Sequence, residues 1–580
     1  MKPYHISNSF RAFALLLLFS TVAQSQETFP VNGVVNKELV RTVLDHAVVH
    51  ISATETMEDA SVVIYHGRIE AVGPTNTMPV SGPAVHKDMT GFHLYPSFID
   101  LNSDWAMPAA QEERPSRGSQ DLSDKKGAYG WNEAVRPEAR AADGFNPQAG
   151  KKEMESYHRA GFGAVLTHVQ DGIVRGTGAL TALAEDPRRA LLLPDASTHY
   201  SFRKGSSSQD YPRSLMGATA LLKQTYYDAI WYADASRLNE RLETNLSLEA
   251  FNENRALPAF FQAGEWQDIL RASAVAKEVA LEQPYITYAG TNTYQRLEAV
   301  KATGSDLVLS LNFPTPFDVS DPYLSRLIGL DELKHWELAP TNAARVHQAG
   351  IRFAFTPQGM EDMAGALAAV RKCIAHGLPE EVALAALTEV PADMVGASQR
   401  VGKLLPGMEA NLLVMDGPIF DASTVLYENW VQGQQHVFQD REWLDIRGQY
   451  DVTIANQVLE LVVEGESEKP IGQFMLDSTA FKVGLNIDGR TIALDFQMDT
   501  LDINGWWRAT GNVWMDSRIW EGKGQRDDGT WFEWSAIRND SKAEDLAVEG
   551  KRESQGSGPE QLGEVIWPFV AYGNTEHPTA

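Results

Sequence analysis

Gly91-Phe92-His93-Leu94-Tyr95-Pro96-Ser97-Phe98-Ile99-Asp100-Leu101-Asn102-Ser103-Asp104 is the stretch on which the fold turns. It runs through the apolar Phe98-Ile99 and Leu101 to end on Asn102 and Asp104. Upstream, Ala47-Val48-Val49-His50-Ile51, Ser61-Val62-Val63-Ile64-Tyr65 and Arg68-Ile69-Glu70-Ala71-Val72-Gly73 alternate polar and apolar residues, with His66-Gly67 as a turn. That is the pattern of half-buried antiparallel strands. Downstream, 108–150 is rich in Pro, Gly, Ala and charge. It reads as a long loop over one end of the fold, with Trp131-Asn132 as its anchor.

From 151 to about 395 helical and strand patterns alternate. Helices are predicted over 151–160, 266–281, 294–303 and 342–349. The strands predicted after them are 161–168, 284–288, 307–311 and 351–356. Repeated units with apolar strands predict a parallel sheet covered by helices. Their number suits a (β/α)8 barrel of roughly 250 residues, although the pattern alone leaves a doubly wound sheet equally open.

A resemblance decides between the two. The segment ending in Pro96-Ser97-Phe98-Ile99-Asp100 resembles the first barrel strand of the amidohydrolase superfamily, in its imidazolonepropionase-like branch. Three further motifs fall in order. Ala385–Gly396 resembles the family's closing helix. Gly402-Lys403-Leu404-Leu405-Pro406-Gly407-Met408-Glu409-Ala410-Asn411-Leu412-Leu413-Val414 resembles the return into a β-sandwich, with Asn411 where Asp is usual. Trp430-Val431-Gln432-Gly433 resembles its last strand. The resemblance covers about residues 40–440. It implies an α/β fold: a TIM-like barrel over 96–398, with a flanking composite β-sandwich built from 26–95 and 399–445. Residues 446–550 have short strand patterns and six tryptophans (506, 507, 514, 520, 531 and 534), and predict a separate antiparallel β domain. The tryptophans read first as core and cross-strand packing, with glycan or partner recognition as the less ordinary role. A linker and an apolar tail over 566–573 occupy 551–580.

The family carries two metal-binding histidines after strand 1, further histidines after strands 5 and 6, and an aspartate after strand 8. Carried onto this chain, the strand-1 pair is Asn102 and Asp104. Strand 5 ends in Tyr288-Ala289, strand 6 (Leu309 to Pro314) contains no histidine, and Pro357 stands at the aspartate. Asn is a poor metal ligand, Tyr a rare one and Pro none, so no cofactor is expected. An improvised site from Asp104, His168 and His199, taking a divalent metal such as zinc, is the alternative. The ordinary roles for the two histidines are a buried or hydrogen-bonded residue for His168 and a surface one for His199. A narrower resemblance is to the degenerate N-terminal half of bacterial double amidohydrolase-related proteins. It implies a non-catalytic scaffold or regulatory subunit whose partner is an active amidohydrolase-like chain or domain. The alternative is a hydrolase of carbon–nitrogen bonds with an atypical site.

Composition narrows the classes. A formal charge of −27 over 580 residues argues against nucleic acid as a partner. Lys2, Arg11, an apolar run from Ala12 to Val22 and the small-residue site Ala23-Gln24-Ser25 predict an export signal over 1–25. No other run is long enough to span a bilayer. Cys373 is the only cysteine, which excludes an intramolecular disulfide and suits a Gram-negative periplasm.

Overall fold

The structure is a computed structural model that describes residues 40–539, apart from 79, 109–118, 121, 239–242, 319–326, 440–445, 455–456, 467–468, 477–478, 489–490, 501–502 and 515–517. The expected export signal and the C-terminal linker and tail lie outside the described residues.

The chain opens with β1 (Arg41–His50), β2 (Thr56–Tyr65), β3 (Arg68–Pro74), β4 (Ala84–Asp88) and β5 (His93–Pro96). The two-residue turn between β2 and β3 is His66-Gly67, both at positive φ, +51° and +77°. That geometry matches the twist of a tight hairpin. One edge of β1 pairs with β2, and the other is shared by β4 and then β5. Late in the chain, β14 (Leu412–Met415), β15 (Leu426–Val431) and β16 (Gln434–Val437) return to this sheet, β14 lying against β5. Motifs more than 300 residues apart are thus joined in one sheet, in the order β16-β15-β14-β5-β1-β2-β3 with β4 on β1.

The second sheet carries the site. Its strands, in sheet order, are β6 (Phe98–Ser103), β7 (Phe162–Thr167), β8 (Val174–Ala182), β9 (Leu191–Ser201), β10 (Ala259–Gln262), β11 (Ile286–Ala289), β12 (Leu307–Ser310) and β13 (Phe353–Thr356). The last strand comes back against the first, so the sheet is a near-closed barrel. All residues of β6, β7 and β8 are buried, because helices cover the outer face. Those helices include α1 (Lys151–Arg159), α2 (Leu215–Arg237), α3 (Trp266–Glu278), α4 (Asn342–Gln348), α5 (Ala366–Ala375) and α6 (Glu380–Leu387). Ser214 caps α2, its hydroxyl accepting from the Gly217 amide at 3.1 Å. Among the described residues no helix is long and apolar enough to cross a membrane.

The barrel departs from a uniform (β/α)8 repeat. β8 runs antiparallel to both β7 and β9. A hairpin therefore stands where a strand–helix unit was expected. Only the second half of β8, from Ala179, pairs with β7. The first half pairs instead with the predicted loop, through bridges from Val135 to Val174 and from Arg140 to Thr177. The loop passes so close that a Cβ on Gly176, at φ +83°, would stand 1.9 Å from the Ala139 carbonyl oxygen. Of the expected anchor, Asn132 is buried and donates to the Tyr211 carbonyl at 3.1 Å, whereas Trp131 is exposed.

Asn429 fastens the first sheet to the barrel. Its amide donates to the carbonyls of His158 at 3.1 Å and Phe162 at 2.9 Å, and its oxygen accepts from Ser97 at 2.9 Å.

Eight further strands close into an antiparallel barrel: β17 (Gly448–Ile454), β18 (Gln457–Glu466), β19 (Lys469–Leu476), β20 (Thr479–Asp488), β21 (Thr491–Thr500), β22 (Ile503–Trp514), β23 (Ile519–Arg526) and β24 (Trp531–Arg538). The tryptophans divide by strand parity. Trp507, Trp520 and Trp534 fill the lumen, whereas Trp506, Trp514 and Trp531 are exposed. Inward glycines make room for the large rings. A Cβ on Gly524 would lie 2.2 Å from the Phe532 ring, and one on Gly511 would lie 2.8 Å from that of Trp534. An eight-stranded barrel has an interior just wide enough for side chains, so large and small residues must alternate. Gly524→Val is expected to cost about 1–3 kcal/mol through overpacking. Urea unfolding followed by tryptophan fluorescence measures this, and an unchanged midpoint would refute the filled lumen.

Candidate functional site at the barrel mouth

In barrels of this kind chemistry collects at the C-terminal ends of the parallel strands. On β6, Phe98, Ile99 and Leu101 pack as core, and Asp100 is buried among them. The Asp100 carboxylate accepts from the Asn102 amide at 3.0 Å and from the Tyr157 hydroxyl at 3.4 Å. Burial pushes its carboxyl up to about 6, against hydrogen bonds from Thr356, Asn102 and Tyr157. Beyond it the strand end is tied down. Ser103 meets the Tyr157 hydroxyl at 2.9 Å and accepts from the Trp105 amide at 3.0 Å. Thr167 donates to the Trp105 carbonyl at 2.7 Å. Asn102 is buried, and its side-chain oxygen accepts from Gln170 at 3.4 Å.

Two of the three candidate residues come together. His168, just past β7, and His199, on β9, are both fully buried, their rings stacked with centroids 3.7 Å apart and planes 6° apart. Tyr288 and Phe260 extend the stack across the interior. The Tyr288 ring lies 6.1 Å from His199 and 5.4 Å from Phe260. Asp104 does not join them. Its side chain is exposed, and its charge raises the carboxyls of Asp100 and Glu153 and the phenol of Tyr157, on the α1 side. The surface placement expected for His199 is corrected by this geometry: β9 is buried where His199 sits.

The hydrogen bonds fix the tautomer of His199. The Tyr288 hydroxyl donates to the Leu101 carbonyl at 2.8 Å, which can only accept. The 3.2 Å contact from Tyr288 to His199 Nδ1 must then be donated by the imidazole. Nε2 is left to accept from Ser197 Oγ at 2.7 Å. His199 is thus a neutral, fully engaged ring, held well below its ordinary pKa by burial and by Arg175. His168 is likewise depressed by burial, then by His199 and Arg175, yet neither of its ring nitrogens has a partner.

Sheet order also corrects the strand count. Tyr288 lies on the sixth strand rather than the fifth, and the fifth ends in Gln262-Ala263. Leu307–Ser310, taken as the sixth, is the seventh. The positions at which the resemblance implies metal ligands therefore carry Asn102, Asp104, Gln262, Tyr288 and Pro357. This donor set does not fit a divalent ion. Two are neutral amides, Pro357 offers no side-chain donor, and Tyr288 is committed to Leu101 and His199. Imidazole lone pairs lie in the ring plane, so two parallel stacked rings do not converge on one ion at about 2.0–2.1 Å. Among the described residues no group of three or more His, Cys, Asp or Glu is placed to hold a metal.

Other openings offer less. A groove of about 680 Å³ at the opposite end of the sheet is lined by Arg255, Glu282, Asp306 and Arg352 among others. Arg352 is already committed to Asp306 and Asp393.

Comparison with known proteins agrees with this architecture. An amidohydrolase from Thermotoga maritima MSB8 superposes with a TM-score of 0.52 at 22% identity, covering 69% of this chain and 100% of that one. A curated relative, the amidohydrolase tasK of Hapsidospora irregularis, is 36% identical over 58 residues, which is 10% of this chain and 6% of the relative. No protein-family profile matches the chain. The fold is that of the amidohydrolases.

Proposed function

We propose that this chain is an exported, non-catalytic member of the amidohydrolase fold, serving as a scaffold or regulatory subunit for an active amidohydrolase-like chain or domain. On this reading the near-closed sheet is a (β/α)8 barrel in which one unit has become a hairpin. The observation that carries the reading is the barrel mouth: two amides, a phenol, a proline and a single outward-turned carboxylate, Asp104, stand where ligands are required, and the phenol of Tyr288 is stacked with His168, His199 and Phe260 in the interior. Fold alone does not license an activity, and here the side chains argue against the metal-dependent one.

Metal content of the purified chain tests this. Mass spectrometry is expected to find less than about a tenth of an equivalent of any transition metal, with no uptake on titration with zinc or manganese. Near-stoichiometric zinc, with chelator-sensitive hydrolysis of dipeptides, would overturn the proposal and return the chain to the metal-dependent hydrolases of carbon–nitrogen bonds.

A further inference from the structure

Arg175, the second residue of β8, is only 6% exposed. Its Nε donates to the Gly172 carbonyl at 3.1 Å. Among the described residues nothing accepts from its two terminal nitrogens. Neither of these is fully enclosed, so each keeps some accessible surface. The acid that most influences it, Asp171, is already shared between Arg136 at 3.0 Å and the amide and hydroxyl of Ser206, at 2.7 and 2.6 Å. Burial draws the guanidinium down to about 10, so it remains charged at neutral pH. A buried cation without a partner is costly to keep. The ring nitrogens of His168 are also unpartnered, but they are fully enclosed and so lie out of reach of a ligand. The Arg175 charge is felt by His168, His199 and Tyr288 alike.

We infer that Arg175 forms a binding site for a small carboxylate at the barrel mouth. A guanidinium offers two parallel N–H bonds to a planar pair of oxygens, which is the geometry of a carboxylate. With Arg175 only 6% exposed, a bound anion is held away from bulk water and its bonds to the guanidinium are strengthened. The chain as a whole, at −27, repels polyanions and leaves a compact single charge as the matching ligand. This inference goes beyond the scaffold reading and needs no metal. Zinc uptake would overturn that reading and leave this one standing.

Thermal unfolding of the full chain tests it, with acetate and N-acetylglycine as probes against chloride at constant ionic strength. Either carboxylate is expected to raise the transition by about 2–4 °C at saturation. Arg175→Met is expected to be at least as stable as the parent in chloride and to lose the carboxylate-dependent rise. A purely structural arginine would instead leave Arg175→Met destabilised. No rise over chloride in the parent, or an equal rise in Arg175→Met, would overturn the inference. Should that variant fail to fold, Arg175→Lys keeps the charge without the fork. Calorimetric titration is then expected to give binding of N-acetylglycine weakened about ten-fold, and unchanged affinity would overturn the inference equally.

Discussion

Tyr288→Ala is expected to destabilise the chain by about 3–5 kcal/mol, the range for removing a fully buried aromatic ring. The ring is 3% exposed and packs against Phe260 at 5.4 Å. Its hydroxyl joins the Leu101 carbonyl on β6 to His199 on β9, so one side chain braces three strands across the interior. Tyr288→Phe separates the two contributions. It keeps the ring but leaves a buried carbonyl and an imidazole N–H unsatisfied, for about 1–3 kcal/mol. Denaturant unfolding of both variants measures the difference. If Tyr288→Phe matched the parent, the assigned network and with it the tautomer of His199 would be wrong.

Acid is expected to weaken the fold steeply between pH 6.5 and 4. His50 and His158 are each drawn down to about 4 by burial and then by a neighbouring imidazole, His93 and His436 respectively. His168 and His199 are held lower still. In each case the unfolded chain takes up a proton near 6.5 and the folded chain does not. The stabilising contribution is therefore complete above pH 6.5 and is lost as pH falls toward the folded value. His158 alone is worth up to about 3 kcal/mol across that window. Asp100 works in the opposite sense. Its raised carboxyl binds a proton first in the folded chain, so it favours folding as pH falls through about 6. One carboxyl does not offset four imidazoles. Urea midpoints measured from pH 7 to 4 are expected to decline throughout. His158→Gln keeps a donor for the Leu183 carbonyl, now met at 2.8 Å, and is expected to flatten the slope. A midpoint independent of pH over this range would contradict the neutral, buried placement of these rings.

β9, β10 and α2 escaped the sequence reading, but β7, β11, β12 and β13 were legible because apolar runs such as Leu307–Leu309 and Ala164–Leu166 lie between helices of clear period. The hairpin was not. β8 reads Val-Arg-Gly-Thr-Gly-Ala-Leu-Thr-Ala, and its glycines lower strand propensity. Burial on both faces also removes the alternation that marks a strand. With β8, β9 and β10 all unread, the strand count was off by one, Gln262 at the end of β10 was overlooked and Tyr288 was assigned to the wrong strand. His168 was legible as a candidate because it closes an apolar run, whereas His199, preceded by Asp195-Ala196-Ser197-Thr198, read as a loop residue. That Asp104 would turn outward depended on how Asn102 and Ser103 are tied, which only tertiary contacts decide. Arg175 had one signal that could have exposed it: a lone cation in the stretch Gly172–Ala184, which contains no acid.

The reversed direction of β8 alters how this molecule can vary. In an ordinary barrel the mouth is furnished by loops that follow the strands, and chemistry changes when those loops change length. Here Arg175 arrives from the beginning of a strand, while the connection to β9 that follows β8, residues 183–190, lies at the far end. Insertions there leave the mouth alone. A slip of one residue in the pairing of β8 with β9 would turn Arg175 outward and bring its neighbour in. The anion chemistry is thus stored in the alignment of two strands, protected from drift in loop length and vulnerable to any change that loosens their pairing.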